Sequence, residues 1–200
     1  MKLFKTLTSL LNTLLILVLF SSVTCLFYSC DSSVDYPRES DPLGSGKVRW
    51  SESQTPDGWT SVRNEEGTTL GYSKSSGLKL IQVDGYAFKD LNRNNMLDKF
   101  EDWRLDFETR AEAMVDEIPI EQMMGMKMNP FCRWRVNPDT LDVIMKNFLD
   151  LGYRQLRAPR GGTADSRTKV NWNNMVQEYI EGLENIVCIP AVWIDDPRSG

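Results

Sequence analysis

The chain has 200 residues and a mass of 22.9 kDa, enough for one domain with a buried core. Apolar residues make up 41% and charged residues 26%, a balance that excludes a disordered or collagen-like chain. Histidine is absent and the net charge is -5, which removes Ser-His, Cys-His and His-metal chemistry and argues against a nucleic-acid partner.

Lys2 and Lys5 precede an uncharged stretch with the apolar run Leu14 to Phe20. A short basic segment ahead of an apolar one of roughly 7–15 residues has the form of a secretory signal. Asn12, Thr13, Ser21 and Ser22 keep the apolar part short of the roughly 20 residues of a membrane span, so residues 1–29 read as a signal peptide. Leu26-Phe27-Tyr28-Ser29-Cys30, followed by Asp31-Ser32-Ser33, resembles a bacterial lipoprotein signal with Cys30 as the acylated first residue; Cys25 is the rival. The polar, acidic stretch after Cys30 is similar to the export signal of Bacteroidetes surface lipoproteins. The expectation is an exported protein, periplasmic or at the cell surface, anchored by lipid to the outer membrane.

Residues 30–46 read as a flexible, lipid-anchored tether, because Asp, Ser, Pro and Gly leave little apolar surface to fold on. Beyond it, Cys132 and Cys188 sit in apolar surroundings that favour two buried thiols over a pair.

Residues 47–105 form a β lead-in. Short apolar runs alternate with turn signals at Gly67, Gly71, Ser75-Ser76-Gly77 and Asp84-Gly85. Leu78-Lys79-Leu80-Ile81-Gln82-Val83 is the strongest strand, and Asp84-Gly85 predicts a hairpin turn.

The lead-in ends in Asp90-Leu91-Asn92-Arg93-Asn94-Asn95-Met96-Leu97-Asp98-Lys99-Phe100-Glu101. Oxygen side chains fall at positions 1, 3, 5, 9 and 12 of a twelve-residue loop, the EF-hand arrangement for a hard cation. Asp90, Asn92 and Asn94 would supply one oxygen each and Met96 its main-chain carbonyl. Asp98 would ligate directly or through water, and Glu101 with both oxygens. Asn95 holds position 6, where a left-handed backbone is needed; asparagine adopts it more readily than other non-glycine residues. Leu97 at position 8 is the apolar anchor. With no second copy of the loop, the expected ion is a structural Ca2+ and not a sensor's; a polar surface turn is the plain alternative.

From Asp106 the period turns helical. Asp106 caps a helix with Phe107, Ala111, Met114, Val115 and Ile118 on one face, closed by Pro119. Gly125-Met126-Lys127-Met128 reads as a strand. Asn137-Pro138 reads as the cap and first residue of a helix that buries Leu141, Ile144, Met145 and Phe148 and stops at Gly152. Tyr153 to Ala158 is a second strand. Asp165-Ser166 opens a long helix with Trp172, Met175, Val176, Tyr179, Ile180 and Leu183 on one face, feeding the apolar strand Ile186 to Ile194. Apolar strands alternating with helices imply a parallel sheet and an α/β fold.

Phe88-Lys89-Asp90-Leu91-Asn92-Arg93-Asn94, with Leu97-Asp98 and Phe100 before Glu101-Asp102-Trp103-Arg104-Leu105, resembles the opening of Bacteroidetes glycoside hydrolase family 3 enzymes, mostly β-glucosidases. The likeness runs through Arg110 to Met124, Trp172-Asn173-Asn174, Gln177-Glu178, Ile189-Pro190 and Asp196-Pro197-Arg198, and covers roughly residues 84–200. It implies a (β/α)8 TIM-type barrel, with residues 106–200 as the N-terminal part holding about three of its β/α units. It also implies hydrolysis of terminal β-linked sugars, an oligosaccharide or β-glucoside, with retention. The resemblance assigns Asp196 to hydroxyls of the sugar in the -1 subsite, with Arg198 beside it as a substrate-binding residue. Asp195 is the neighbouring candidate, a turn or cap is the alternative role for both aspartates, and Ser199 stands where relatives often carry histidine.

In that family the nucleophile and acid/base, about 5 Å apart in a retaining enzyme, come later in the barrel than residue 200. Residues 31–200 alone are therefore expected to lack glycosidase activity. Two other readings stay open. One is a non-catalytic, calcium-stabilised surface lipoprotein that holds glycans on Trp50, Trp59, Trp103, Trp134 and Trp193; the other is an inactive truncated relic. Arg157-Ala158-Pro159-Arg160-Gly161-Gly162 lacks the full phosphate-loop pattern.

Overall fold

Period-two alternation builds the first half of the body. The computed structural model describes residues 34–42, 46–129, 136–137, 139–157 and 165–194. The chain divides into units Met1–Asp35 and Tyr36–Gly200, and every described strand and helix lies in the second. The signal peptide, Cys25, Cys30, Cys132 and Trp134 lie outside the described residues.

Strands β2 (Trp50–Gln54), β3 (Thr60–Asn64) and β4 (Thr69–Tyr72) form an antiparallel meander with β3 in the centre. Thr60, Val62 and Asn64 of β3 turn inward while Arg63 faces water, as successive side chains of a strand must. Strands β5 (Lys79–Val83) and β6 (Tyr86–Asp90) make the hairpin expected at Asp84-Gly85. Both turn residues have positive φ, 55° and 81°, as a two-residue type I′ loop requires. Val62, Tyr72, Ala87, Leu91 and Phe100 share one core with Val187 and Cys188. Ile81, Val83, Phe88 and Leu97 form a second core under Tyr36, Tyr86 and Trp103.

The tether reading fails for residues 36–41. Strand β1 (Arg38–Glu39) pairs antiparallel with β7 (Met96–Leu97). Arg38 grips Asp84 with both Nη atoms at 2.7 and 2.8 Å, and the Tyr36 hydroxyl donates to Asp102 at 2.8 Å. Asp41 accepts from the amides of Asp84 and Gly85. Polar contacts of Arg38 and Asp41, with the Tyr36 ring on the second core, dock this segment, and none of these partners is visible in its composition.

The helical half begins with α1 (Phe107–Glu117), whose cap Asp106 accepts from the Thr109 amide at 2.9 Å. The expected apolar face is not buried among the described residues: Phe107 is 87% exposed, and of that face only Ile118, just past the helix, is buried. Pro119 then starts α2 (Ile120–Lys127), so residues 125–127 are helix and not the expected strand. A short apolar run has no period of its own to tell the two apart. Gly125 belongs there because a Cβ would lie 2.1 Å from the Leu151 carbonyl oxygen, at the end of the next helix.

That helix, α3 (Val143–Asp150), is capped by Asp142, which accepts from the Met145 amide at 2.7 Å. Asn137, the expected cap, accepts instead from the Asp139 amide in a local turn. The later start leaves Ile144 62% exposed, and Met145 and Leu149 fill the core with Leu141.

Strand β8 (Gln155–Arg157), helix α4 (Ser166–Glu181) and strand β9 (Val192–Ile194) form one parallel β-α-β unit. Asp165 caps α4 as expected, and Trp172, Val176 and Ile180 are buried on its inner face. Strand β9 is shorter than the run Ile186 to Ile194. The side chain of Gln122 bonds both main-chain groups of Val187, that of Gln177 bonds both of Ala191, and Arg154 holds the Ile189 carbonyl. Side chains satisfy this backbone, so it needs no ladder. Among the described residues, this is the one parallel pair and the other sheets are antiparallel; no described helix is long and apolar enough to cross a membrane.

Candidate functional site

Within the loop that the sequence spacing singles out, Asn92, Asn94 and Glu101 are hydrogen-bonded to Asp98, while Asp90 and Met96 bond to other residues of the same loop. Strand β6 ends on Asp90, and the backbone then turns through left-handed residues at Arg93 (φ 64°) and Asn95 (φ 60°) before β7. Asn95 thus takes the conformation that position 6 demands. Leu97 is fully buried in the core beneath the loop and anchors it.

Hydrogen bonds tie the side chains of the loop to its own backbone and to one another. Asp90 Oδ2 accepts from the Asn95 amide at 3.0 Å, Asn92 Oδ1 from the Asn94 amide at 3.2 Å, and Asn94 Oδ1 from the Met96 amide at 2.8 Å. The side-chain amides of Asn92 and Asn94 both donate to Asp98 Oδ2, each at 2.7 Å. Glu101 closes the loop, accepting from the Leu91 amide at 2.6 Å and the Asp98 amide at 3.1 Å.

Asp90, Asp98 and Glu101 are all buried. Burial, with Asp98 and Asp90 nearby, pushes the Glu101 carboxyl up to about 8 despite its two amide donors. Burial also raises Asp90, against the pull of amides at Asn95, Arg93 and Asn94. Asp90 Oδ1 has no hydrogen-bond partner. Among the described residues, no three His, Cys, Asp or Glu side chains form a metal cluster by themselves. The donor set that the spacing predicts is a mixed one, in which asparagine oxygens and a main-chain carbonyl stand with the carboxylates. All are hard oxygen donors, which suit calcium or magnesium and not a soft metal.

Long-range contacts that spacing does not reveal fix this loop to the helical half. The Arg93 guanidinium donates to the Glu181 carbonyl, Lys89 pairs with the Glu181 carboxylate at 2.7 Å, and the Cys188 amide donates to the Leu91 carbonyl at 2.9 Å. Cys188 is a free, buried thiol whose pKa burial raises, so it is chemically quiet.

The expected sugar-binding residues Asp196 and Arg198 lie outside the described residues. They follow directly after β9, and loops at the C-terminal ends of parallel strands are where α/β folds place their sites. Of the candidate stacking faces, Trp103 stacks on Phe88 at 5.4 Å and Trp193 lies against Trp172 at 5.5 Å, which makes both packing residues. Trp50 is half-buried and donates to Gln82 at 2.9 Å.

No protein-family model matches the chain. Over 53 residues the chain is 42% identical to a curated periplasmic β-glucosidase/β-xylosidase of Dickeya chrysanthemi, a stretch that is 26% of this chain and 8% of that protein. The similarity is to a small part of a glycosidase.

Proposed function

We propose that this chain contributes to a retaining β-glycosidase of β-glucosidase type, acting on the terminal β-linked sugar of an oligosaccharide or β-glucoside. The observation that carries this reading is the 42% identity over 53 residues to the β-glucosidase/β-xylosidase. The β-α-β unit ending in β9 is compatible with the opening of a (β/α)8 barrel, and Asp196 follows that strand by two residues.

In this reading Asp196 accepts hydrogen bonds from two sugar hydroxyls, and Arg198 donates to the same ring. Bonds to an ionised carboxylate are stronger than neutral ones, so one aspartate can fix the sugar's orientation. The nucleophile and acid/base are not assigned to any residue of this chain. The basic and apolar leader, with Cys30 as lipid anchor, would deliver the protein across the inner membrane. The periplasmic location of the relative supports export.

The test uses the product of the complete reading frame with p-nitrophenyl β-glucoside and β-xyloside, following the product anomer by NMR. Hydrolysis with retention is expected, and Asp196→Asn should lower kcat/KM by roughly 100-fold, the loss typical of a charge-assisted contact made in the transition state. Glycan binding without turnover of either substrate would replace the enzyme by a binding module. An unchanged kcat/KM in Asp196→Asn would remove Asp196 from the site.

A further inference from the structure

We propose that Asp90, Asn92, Asn94, Asp98 and Glu101, with the main-chain carbonyl of Met96, bind a Ca2+ ion that holds the β6–β7 loop in its folded form. This inference stands apart from the glycosidase reading, because it rests on the loop alone.

The carrying observation is an oxygen without a partner. Asp90 is 0% exposed and its Oδ1 accepts no hydrogen bond, while its other oxygen accepts from the Asn95 amide of the same loop. A carboxylate oxygen withdrawn from water and left without a donor or cation is costly, and native structures rarely keep one.

Charge supplies the second argument. Asp90, Asp98 and Glu101 are all buried, and none makes an ion pair among the described residues. Three carboxylates within a twelve-residue loop repel one another unless a cation or bound protons compensate them.

The asparagines supply the third. Both side-chain amide nitrogens converge on Asp98 Oδ2 at 2.7 Å, the only positive partial charge that side chains offer this carboxylate among the described residues. Rotating each amide by half a turn puts an oxygen in place of each nitrogen. The bonds from the Asn94 and Met96 amides are then exchanged for ligation.

Calcium fits better than magnesium. Six chain donors suit an ion that takes about 6–8 oxygens, whereas magnesium demands near-ideal octahedral geometry and usually keeps several waters. The position of the loop gives binding a consequence. Met96 and Leu97 pair with β1, and Arg93 and Leu91 bond α4 and the segment at Cys188. An ion here therefore secures the N-terminal strand as well as the loop.

The test is isothermal titration of CaCl2, and separately MgCl2, into the purified, chelator-stripped chain, with thermal unfolding in excess calcium or excess EDTA. The expected result is one equivalent of calcium, at least about tenfold weaker magnesium, and a melting point several degrees higher with calcium. Asp90→Asn keeps the side chain's shape and an acceptor for Asn95; it should weaken calcium at least about tenfold while melting in EDTA close to the parent. If Asp90→Asn fails to fold, Asp98→Asn carries the same comparison. No calcium heat and no calcium-dependent melting in the parent overturns the site, as does parental affinity in both variants. Magnesium binding as tight as calcium overturns the choice of ion.

Discussion

Arg154 illustrates how much one residue can organise without belonging to any motif. It is 2% exposed, sits just ahead of β8, and reaches the Ile189 carbonyl through Nε at 2.7 Å. Its Nη1 reaches the Leu149 carbonyl at 3.0 Å and the Tyr153 carbonyl at 2.9 Å. One guanidinium thus satisfies the end of α3 and the irregular segment before β9, and its cation lies at a helix C-terminus, where the dipole favours it. Burial lowers its pKa to about 10, against the opposing pull of Cys188 and Asp150, which leaves it charged at neutral pH. Arg154→Met keeps the apolar stem and strips the donors, leaving buried carbonyls unsatisfied. It should cost about 2–4 kcal/mol in urea unfolding. Arg154→Lys should recover only part of this, because a single ammonium lacks the planar fork. A loss within about 0.5 kcal/mol of zero for Arg154→Met would mean that water replaces the guanidinium. Nothing in the sequence distinguishes this arginine from a surface one, since its three partners include a carbonyl 35 residues away.

Elements were legible where their causes are local. The caps Asp106 and Asp165, the Asp84-Gly85 turn and the left-handed backbone at Asn95 each act within a few residues, and each takes its expected conformation. Helix α2, the shortened β9 and docked β1 depend on distant partners: Leu151 against Gly125, Gln122 and Gln177 on the 187–191 backbone, and Asp84 on Arg38. The β1 contact gives a pH prediction. The hydrogen bonds from Arg38, and then Arg104, outweigh desolvation and hold the Asp84 carboxyl down at about 2, below its ordinary value of 3.8. A depressed carboxylate pKa contributes stability above its unfolded value and loses it as pH falls through the folded one. The contribution should therefore be complete above about pH 5 and fade between about pH 4 and 2. Asp84→Asn preserves the left-handed turn, which asparagine tolerates. It should flatten the pH dependence of stability in that window and speed amide exchange in β1 at pH 7. An unchanged acid slope would assign the docking to strand pairing alone. With 48% of its side chain exposed, Asp84 gains a screened and modest pairing, so exchange is the more sensitive readout.

At the scale of the whole body, the β-rich first half and the β-α-β second half meet on Glu181. Its carboxylate pairs with Lys89 of β6 at 2.7 Å, with side chains 17% and 6% exposed, and accepts from the Ser73 amide at 2.9 Å. Its main-chain carbonyl takes the Arg93 guanidinium from the candidate calcium loop. A buried pair of this kind adds little net stability when compared with an apolar pair, but breaking one side leaves a charge stranded. Glu181→Ala should therefore cost about 3–5 kcal/mol. Glu181→Gln, which still accepts from Ser73, should cost less. Adding Lys89→Met to Glu181→Gln removes the stranded ammonium, so the double variant should be more stable than Glu181→Gln alone. The signature is a non-additive double-mutant cycle in chemical denaturation. Strict additivity would show that Lys89 is already solvated in the folded protein, and that the apolar contacts of Val187 and Cys188 with the first core join the halves instead. The same cycle repeated with and without calcium would report whether the loop carrying Arg93 strengthens this junction when the ion is bound.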